Sequence, residues 1–253
     1  MTKTDAILVT RGLGRSFGGF HAVRGVDLEV QRGTVHAVIG PNGAGKTTCF
    51  NLLTKFLQPS AGTIHYNGRD ITRMRAVDVA RLGMVRSFQI SAVFGGQTVH
   101  ENVRVAIQRR ERGASFDFWR SKAVLAELDD EADELLVAVG LTEYRNTRAA
   151  ELSYGRKRSL ELATTLALRP ELMLLDEPMA GMGHEDIERV TALIQDIARD
   201  RTILMVEHNL SVVAQLSDKI TVLARGEVLA EGTYDAVSND PRVVEAYIGV
   251  PHE

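Results

Sequence analysis

The stretch Gly40-Pro41-Asn42-Gly43-Ala44-Gly45-Lys46-Thr47 decides the fold, because its glycine spacing is that of a phosphate-binding loop. An apolar run at 35–39 enters this phosphate loop, and a helix-like segment at 48–55 leaves it. Glycines let the backbone curl so that successive N–H groups point at phosphate oxygens, and the helix adds its positive N-terminal end. We expect Lys46 to bridge the outer phosphates and the Thr47 hydroxyl to bind Mg²⁺. The sequence therefore predicts a site for a nucleoside triphosphate.

Length and composition limit the class of protein. The chain has 253 residues, enough for a well-buried core, and its formal net charge of −3 argues against nucleic-acid binding through bulk positive charge. The single cysteine, Cys49, excludes an internal disulfide and fits a reducing compartment, and we expect it to be a small core residue. The polar first residues predict no signal peptide, and no apolar run reaches the length of a membrane span.

Apolar strands alternate with amphipathic helices on both sides of a mainly helical region. The strand-like runs lie at 7–9, 26–30, 63–66, 172–175, 202–206 and 220–223. Buried strands that alternate with helices indicate a mostly parallel sheet covered on both faces. We predict an α/β fold with a phosphate-loop NTPase core at 1–88 and 169–253, including N-terminal antiparallel strands and a C-terminal helical tail. A helical subdomain is inserted at 89–168.

Polar side chains follow two of the predicted buried strands. Asp176 and Glu177 end the run that begins at 172, and His208 follows the run at 202–206. The carboxyl ends of parallel strands meet at one sheet edge, where ligands bind. Asp176 can orient Mg²⁺ through a water molecule, and Glu177 can accept a proton from the attacking water. We expect His208 to hydrogen-bond the γ-phosphate and to hold the water in line with Glu177.

These elements stand in the order and spacing of the nucleotide-binding subunits of ATP-binding-cassette (ABC) transporters, which the chain resembles over nearly its whole length. Two further elements carry the resemblance, namely Gln89 and the stretch Leu152-Ser153-Tyr154-Gly155, here called the signature turn. The resemblance implies an ATPase in which two copies close head to tail over two ATP molecules. Ser153 and the Gly155 N–H of one copy would then contact the γ-phosphate bound to Lys46 of the other copy.

The resemblance also assigns roles to residues outside the predicted sheet edge. Gln89 would contact Mg²⁺ and the attacking water, and Phe17 would stack on adenine, although a core role for Phe17 stays open. The implied cofactors are ATP and Mg²⁺. The complete set of expected site residues is Lys46, Gln89, Glu177 and His208 for catalysis, Thr47, Gln89 and Asp176 for the metal, and Phe17, Gly40, Pro41, Asn42, Gly43, Ala44, Gly45, Lys46, Thr47, Thr48, Ser153 and Gly155 for the nucleotide.

The chain departs from the family pattern at three positions. Tyr154 stands where the signature usually has a second glycine, and Arg156 stands where it usually has glutamine. The aspartate that often follows the catalytic acids falls on Gly183, so we assign no cross-subunit contact to this residue.

The chain looks most like the ATPases of importers for branched-chain and related hydrophobic amino acids. The similarity lies at 15–19, 88–89, 176–182, 207–209 and 240–249. Urea and amide importers share much of this pattern, so that alternative stays open. A soluble ABC ATPase acting on nucleic acid or the ribosome is less favoured, because the chain has one cassette and no heptads. A non-hydrolysing regulatory module is disfavoured by intact Lys46, Glu177 and His208.

The resemblance further implies a set of partners. These are a second ATPase subunit, identical or different, integral membrane permease subunits and, indirectly, a periplasmic substrate-binding protein; no nucleic-acid partner is expected. We therefore expect a cytoplasmic protein, peripheral on the inner face of the cell membrane. The segment 90–99, which includes Phe94, is the expected docking region for the permease. Phe116, Phe118 and Trp119 are either a second docking surface or, the favoured interpretation, the anchor of a local helix.

Overall fold

The computed structural model describes residues 5–87, 93–110 and 122–248, so Gln89 and the aromatic trio at 116–119 lie outside the described residues. The chain divides into two compact units. The first comprises Met1–Met84, Glu171–Pro178 and Ile197–Glu253, and the second comprises Val85–Pro170 and Met179–Asp196. The predicted domain limits differ from these units mainly at Met179–Asp196, which was predicted in the core and lies in the second unit. They stay a prediction, because compactness does not test which segments fold together.

The N-terminal strands form a four-stranded antiparallel sheet in the first unit, as predicted. Its strands are β1 (Ala6–Phe17), β2 (Phe20–Gln31), β4 (Ala61–Tyr66) and β5 (Arg69–Asp70), in the order β2-β1-β4-β5. Gly18 and Gly19 join β1 to β2 with φ angles of 50° and 90°. Two consecutive positive φ angles are those of the two-residue hairpin turn whose twist suits antiparallel strands, and glycine adopts them without strain. This turn places Phe17 opposite Phe20 at the tip of the hairpin.

The second sheet is mostly parallel, which confirms the predicted core. Its strands are β3 (Val35–Ile39), β6 (Met84–Ser87), β7 (Leu172–Asp176), β8 (Thr202–Val206), β9 (Lys219–Ala224) and β10 (Glu227–Gly232), in the order β10-β9-β3-β8-β7-β6. β3 pairs in parallel with both β8 and β9, and β7 pairs in parallel with β8. Every residue of β3, β7 and β8 is buried, as strands covered on both faces require.

Helices alternate with the sheet strands along the chain, and several of them form most of the second unit. They are α1 (Lys46–Leu53), α2 (Ala76–Arg81), α3 (Val99–Arg110), α4 (Lys122–Ala138), α5 (Tyr154–Leu166), α6 (His184–Ala198), α7 (Leu210–Leu216), α8 (Tyr234–Ser238) and α9 (Pro241–Ile248). The first of them begins at Lys46, two residues earlier than predicted, and the predicted helical tail is two separate helices. No helix within the described ranges is long and apolar enough to cross a membrane.

The core of the first unit fixes α1 beneath the phosphate loop. Cys49, Phe50 and Leu53 of this helix are buried in one apolar cluster with residues of both sheets, among them Leu8 and Leu174. Burial raises the pKa of the Cys49 thiol to about 12, so it is an inert core residue, as predicted. Each large side chain buried in this way stabilises the fold by about 1.5–3 kcal/mol, and the cluster thereby holds the N-terminus of α1 in place.

Gly45 is the point where the phosphate loop is most tightly confined. Its φ angle is 98°, and a Cβ added there would lie 2.4 Å from the carbonyl oxygen of Ala22 in β2. Gly43 also has a positive φ, of 78°, but an added Cβ would meet nothing within 4 Å. The two glycines therefore differ in surroundings while sharing the left-handed backbone.

This difference predicts unequal losses of stability in two alanine variants. We expect Gly45→Ala to lower the free energy of unfolding by about 2–5 kcal/mol, because backbone strain and a steric clash add. Gly43→Ala, the matched control, should lose about 1–2 kcal/mol from backbone strain alone. Urea denaturation of the two variants measures both values. Equal losses would show that the approach of Ala22 does not constrain the loop.

Candidate active site

Three segments meet at the carboxyl edge of the parallel sheet in the first unit. The phosphate loop follows β3, Asp176 and Glu177 lie at the end of β7, and Glu207 and His208 follow β8. The strand register aligns these ends, because Val206 of β8 pairs with Val38 of β3 on one side and with Asp176 of β7 on the other. The structure thus brings together Lys46, Asp176, Glu177 and His208, which the sequence singled out separately.

Backbone hydrogen bonds shape the phosphate loop. The Ala44 N–H donates to the Pro41 carbonyl at 3.2 Å, and the Cys49 N–H donates to the Gly45 carbonyl at 2.8 Å, which opens α1. From the turn between β9 and β10, the Gly226 N–H donates to the Ala44 carbonyl at 3.0 Å. The hairpin of β9 and β10 therefore stabilises the phosphate loop in addition to the hydrogen bonds within the loop.

Lys46 lies over the loop that precedes it. Its Nζ donates to the carbonyl oxygens of Gly40 at 2.7 Å and Pro41 at 2.9 Å, and the residue is only 6% exposed. Burial lowers the pKa of the Lys46 ammonium, and the Glu177 carboxylate opposes this shift. Both carbonyls are neutral acceptors, and a charged phosphate oxygen accepts a stronger hydrogen bond from an ammonium group. The ammonium is therefore placed where a nucleotide phosphate would compete for it.

Glu177 and His208 form a pair across the ends of β7 and β8. The Glu177 Oε1 lies 2.7 Å from the His208 Nε2, and the Glu177 N–H donates to the Val206 carbonyl at 2.9 Å. Glu177 has a φ of 45°, in the left-handed region that is unusual for residues other than glycine. Such strain persists where surrounding contacts enforce it, and it is concentrated at functional sites. Both side chains remain partly exposed, so a water molecule and a substrate can reach them.

Glu207 is a residue of this site that the sequence analysis missed. It is buried, and its Oε2 accepts hydrogen bonds from the N–H groups of His208 at 2.8 Å and Asn209 at 3.0 Å. Asn209 in turn caps α7, its Oδ1 accepting from the Ser211 N–H at 3.1 Å. Glu207 therefore fixes the backbone that carries His208. An acid directly after a buried strand dominated by apolar residues was the signal that could have identified it.

The residues at the sheet edge fit Mg²⁺ that arrives with a nucleotide. The described residues contain no group of three or more His, Cys, Asp or Glu side chains able to hold a metal ion. Mg²⁺ is usually bound by one or two protein oxygens together with water and substrate phosphates. Thr47 is exposed at the start of α1, and the largely buried Asp176 carboxylate ends β7. These two oxygen donors suit that mode of binding.

Phe17 lies at the tip of the hairpin between β1 and β2. Its ring is not part of the core, because the residue is 42% exposed. The Arg15 guanidinium lies 4.7 Å from the ring centroid and covers part of the ring. An exposed aromatic ring with a cationic neighbour is suited to stacking on a nucleotide base.

The signature turn belongs to the second unit and leads into α5. Ser153 is the N-cap of this helix, and its hydroxyl accepts from the Arg156 N–H at 3.5 Å. A Cβ added at Gly155 would lie 2.3–2.5 Å from the carboxylate atoms of Asp186. Glycine at 155 therefore allows α6 to approach the first turn of α5 closely.

Two of the departures from the family pattern have local partners in this unit. The Tyr154 ring packs against Gly181, where an added Cβ would lie 3.5 Å from the ring. The Arg156 guanidinium lies 4.3 Å from the centroid of the Tyr144 ring, a cation–π contact. A Cβ added at Gly183 would meet no atom of the described residues within 4 Å, so packing among them does not explain this departure.

Comparison with known proteins finds matches over nearly the whole chain. Residues 23–180 match a family model described as ABC transporter, and residues 227–253 match one described as branched-chain amino acid ATP-binding cassette transporter. The high-affinity branched-chain amino acid transport ATP-binding protein BraF of Pseudomonas aeruginosa is 40% identical over 253 residues, with 96% of this chain and 98% of BraF covered. The corresponding protein LivG of Salmonella typhimurium is 38% identical over 255 residues, covering 97% and 99%.

A solved structure has the same fold. It is the ADP conformation of MJ1267, an ATP-binding cassette of an ABC transporter, with a TM-score of 0.84 and 30% sequence identity. The superposition covers 97% of this chain and 99% of MJ1267.

The contacts of Glu207 predict a loss of ATP hydrolysis when its carboxylate is removed. We expect Glu207→Ala to lower kcat about tenfold, because His208 then loses the acceptor that fixes its backbone. The KM for ATP should change less than kcat, because the two hydrogen bonds that are lost act on the backbone of His208 and Asn209. Steady-state ATPase assays of purified protein measure both constants.

Glu207→Gln is the matched control for that prediction. Its amide oxygen can still accept from the two N–H groups, so most of the activity should remain. If Glu207→Ala hydrolyses ATP as fast as the unaltered chain, the proposed positioning of His208 is wrong.

Proposed function

The chain belongs to the ABC transporter family, and we propose that it is the ATP-hydrolysing subunit of an importer for branched-chain amino acids. The observation that carries the ATPase assignment is the meeting of the phosphate loop, Glu177 and His208 at one sheet edge. The cargo is supported by the match at 227–253 and by the printed names of BraF and LivG.

The residues at the sheet edge suggest how the γ-phosphate is removed. The loop N–H groups and Lys46 bind the phosphates, and Lys46 exchanges the carbonyls of Gly40 and Pro41 for phosphate oxygens. Glu177 accepts a proton from water as the water oxygen bonds to the γ-phosphorus and the bond to the bridging oxygen breaks. The His208 Nε2, at 2.7 Å from the Glu177 Oε1, holds this carboxylate before the nucleotide binds, and its N–H then turns to donate to the γ-phosphate.

Bound Mg²⁺ would neutralise charge that develops on the phosphates during transfer. Thr47 and Asp176 are the described residues proposed to hold it, and Gln89 is the proposed third contact. Phe17 would stack on the adenine ring. Asn42, Gly43 and Thr48 complete the nucleotide contacts along the loop and the first turn of α1.

A second copy, or a homologous subunit, is proposed to complete each site. The signature turn of one subunit would bind the γ-phosphate held by Lys46 of the other, through the Ser153 hydroxyl and the Gly155 N–H. A helix N-terminus favours an anion at this position, and Ser153 already caps α5 there. Closure of two subunits over ATP is the step that would drive transport.

Phe94 is proposed as a contact with the membrane subunits, at the inner face of the cell membrane. The ring is 57% exposed, whereas its backbone is held firmly by Asn102 of α3. The Phe94 N–H donates to the Asn102 Oδ1 at 2.7 Å, and the Asn102 Nδ2 donates to the Phe94 carbonyl at 3.1 Å. An exposed aromatic ring on a fixed backbone is suited to an interface anchor, because little backbone entropy is lost on binding.

Replacement of the proposed general base tests the ATPase. We expect Glu177→Gln to lower kcat at least about 100-fold, because an amide cannot accept the proton. ATP should still bind, so the variant should be trapped as an ATP-bound dimer, detectable by light scattering in ATP but not in ADP. Glu188→Gln, an exposed change on α6, is the control with unaltered activity. A monomeric Glu177→Gln protein with normal ATPase would refute both the general base and the shared site.

Cells that carry Glu177→Gln in the chromosome test which substrate the importer transports. The part of labelled leucine uptake that is lost on deletion of the gene should also be lost in Glu177→Gln cells. Uptake of labelled urea should be unchanged. The alternative cargo, urea or an amide, would be supported by the reverse result, which would leave the ATPase assignment intact.

If Phe94 contacts the permease, Phe94→Asp should weaken assembly with the permease subunits. A buried charge in the interface should reduce co-purification with the permease subunits severalfold, while ATP binding by the isolated chain is retained. Val137→Asp on α4 is a matched control, since this residue is 65% exposed in the same unit. Equal assembly of the two variants would contradict docking at Phe94.

A further inference from the structure

The Phe17 ring lies at the tip of the hairpin between β1 and β2, where packing in the core does not hold it. Residues 17–21 are all exposed, and the turn itself consists of Gly18 and Gly19, which have no side chains to support a ring. An unsupported side chain moves among several staggered rotamers, and ordering it when a ligand binds costs entropy. Another group must therefore orient the ring if it is to bind a base tightly.

Arg15 lies against one face of this ring. Its guanidinium carbon is 4.7 Å from the centroid of the Phe17 ring. A planar cation over an aromatic face is attracted by the negative charge of the π system, which favours one orientation of the ring. Because Arg15 covers one face, the opposite face is the one left for a base.

The Arg15 guanidinium is itself held by the turn that follows α1. Its Nη1 donates to the Gln58 carbonyl at 2.8 Å. Two further hydrogen bonds tie this turn to β1 on both sides of Arg15. The Ser60 N–H donates to the Gly14 carbonyl at 2.8 Å, and the Ser16 N–H donates to the Ser60 Oγ at 3.2 Å. The acceptor that holds Arg15 is therefore part of a well-connected backbone.

The same turn is connected to the helix that carries Lys46. The Leu57 N–H donates to the Asn51 carbonyl of α1 at 2.9 Å, and α1 begins at Lys46. Arg15 therefore links the Phe17 ring to the helix whose first turn is proposed to bind the phosphates. The base and the phosphates belong to one molecule, so their two contact surfaces must be held at a fixed separation.

Stability alone does not account for the placement of Arg15. Its Nε is buried and has no hydrogen-bond partner among the described residues. A buried donor without an acceptor costs free energy, which a single cation–π contact offsets only in part. Such a local cost is expected where a residue serves the site rather than the fold.

We propose that Arg15 is a positioning residue for nucleotide binding, which holds the Phe17 ring in the orientation that stacks on the base. The inference rests on the proposed function, in which Phe17 contacts adenine and the loop at 40–47 contacts the phosphates. Arg15 itself contacts neither part of the nucleotide. Its removal should therefore weaken the binding of ligands that contain a base and leave phosphate ligands without a base unaffected.

Arg15→Met removes the cation while keeping a long side chain, and calorimetric titration in Mg²⁺ measures its effect. We expect the Kd for ADP to rise about threefold to tenfold, the range of a partly desolvated cation–π contact. The Kd for pyrophosphate, which has no base, should be unchanged. The Tm should be unchanged or slightly higher, because a buried unpaired N–H is removed. In ATPase assays the KM for ATP should rise while kcat at saturating ATP stays the same.

Two further proteins separate the orientation of the ring from a general effect of charge. Arg11→Met is the matched control, because Arg11 is an exposed base on the same strand that pairs with Glu29 instead of a ring. It should leave both Kd values unchanged. Adding Arg15→Met to Phe17→Ala should not raise the Kd for ADP beyond that of Phe17→Ala alone, because the ring that Arg15 orients is then missing.

A folded Arg15→Met protein with an unaltered Kd for ADP would overturn the inference, and so would an equal rise in the Kd for pyrophosphate. If Arg15→Met does not fold, Arg15→Lys replaces it, because lysine keeps the charge but lacks the planar group that stacks on the ring. An unaltered Kd for ADP in Arg15→Lys would then overturn the inference. A Phe17→Ala protein that binds ADP as tightly as the unaltered chain would instead refute base stacking in the proposed function, so the two failures are distinguishable.

Discussion

The parallel pairing of β3 with both β8 and β9 is the constraint on which the rest of the structure depends. Pairing on both sides buries β3 completely and sets where it ends, so the phosphate loop leaves the sheet at a fixed point. Because β7 pairs with β8 in the same direction, Glu177 and His208 reach that edge too. A shift in register of any of these strands would separate the loop from its catalytic side chains.

Backbone groups help to hold the functional residues at this edge. Lys46 is bonded to loop carbonyls, Glu177 is bonded through its N–H to the end of β8, and Glu207 fixes the His208 backbone. Groups that are positioned before the substrate arrives need little reorganisation during reaction, which is the main source of electrostatic catalysis. The strained φ of Glu177 agrees with such positioning, because the fold enforces a backbone conformation that the residue alone would avoid.

The sequence predicted the parts of the structure that have strong local patterns. Runs dominated by apolar residues became β3, β7 and β8, and the phosphate loop lies where its glycines predicted it. β10 escaped prediction because this edge strand has a mixed pattern and depends on pairing with β9, and α2 is too short for a clear helical period. Glu207 was missed for another reason. Buried acids and bases look like surface residues in a sequence, and only tertiary contacts distinguish them. The role of Gln89 stays a prediction.

One sheet edge is proposed both to bind the nucleotide and to cleave it. A crystal structure of the chain with Mg²⁺ and a non-hydrolysable ATP analogue tests this most directly. We expect the phosphates to lie in the loop at 40–47 and the Lys46 Nζ to have left the Gly40 and Pro41 carbonyls for phosphate oxygens. Glu177 and His208 should face the γ-phosphate. A nucleotide bound elsewhere, or a γ-phosphate beyond hydrogen-bond reach of both Lys46 and His208, would contradict it.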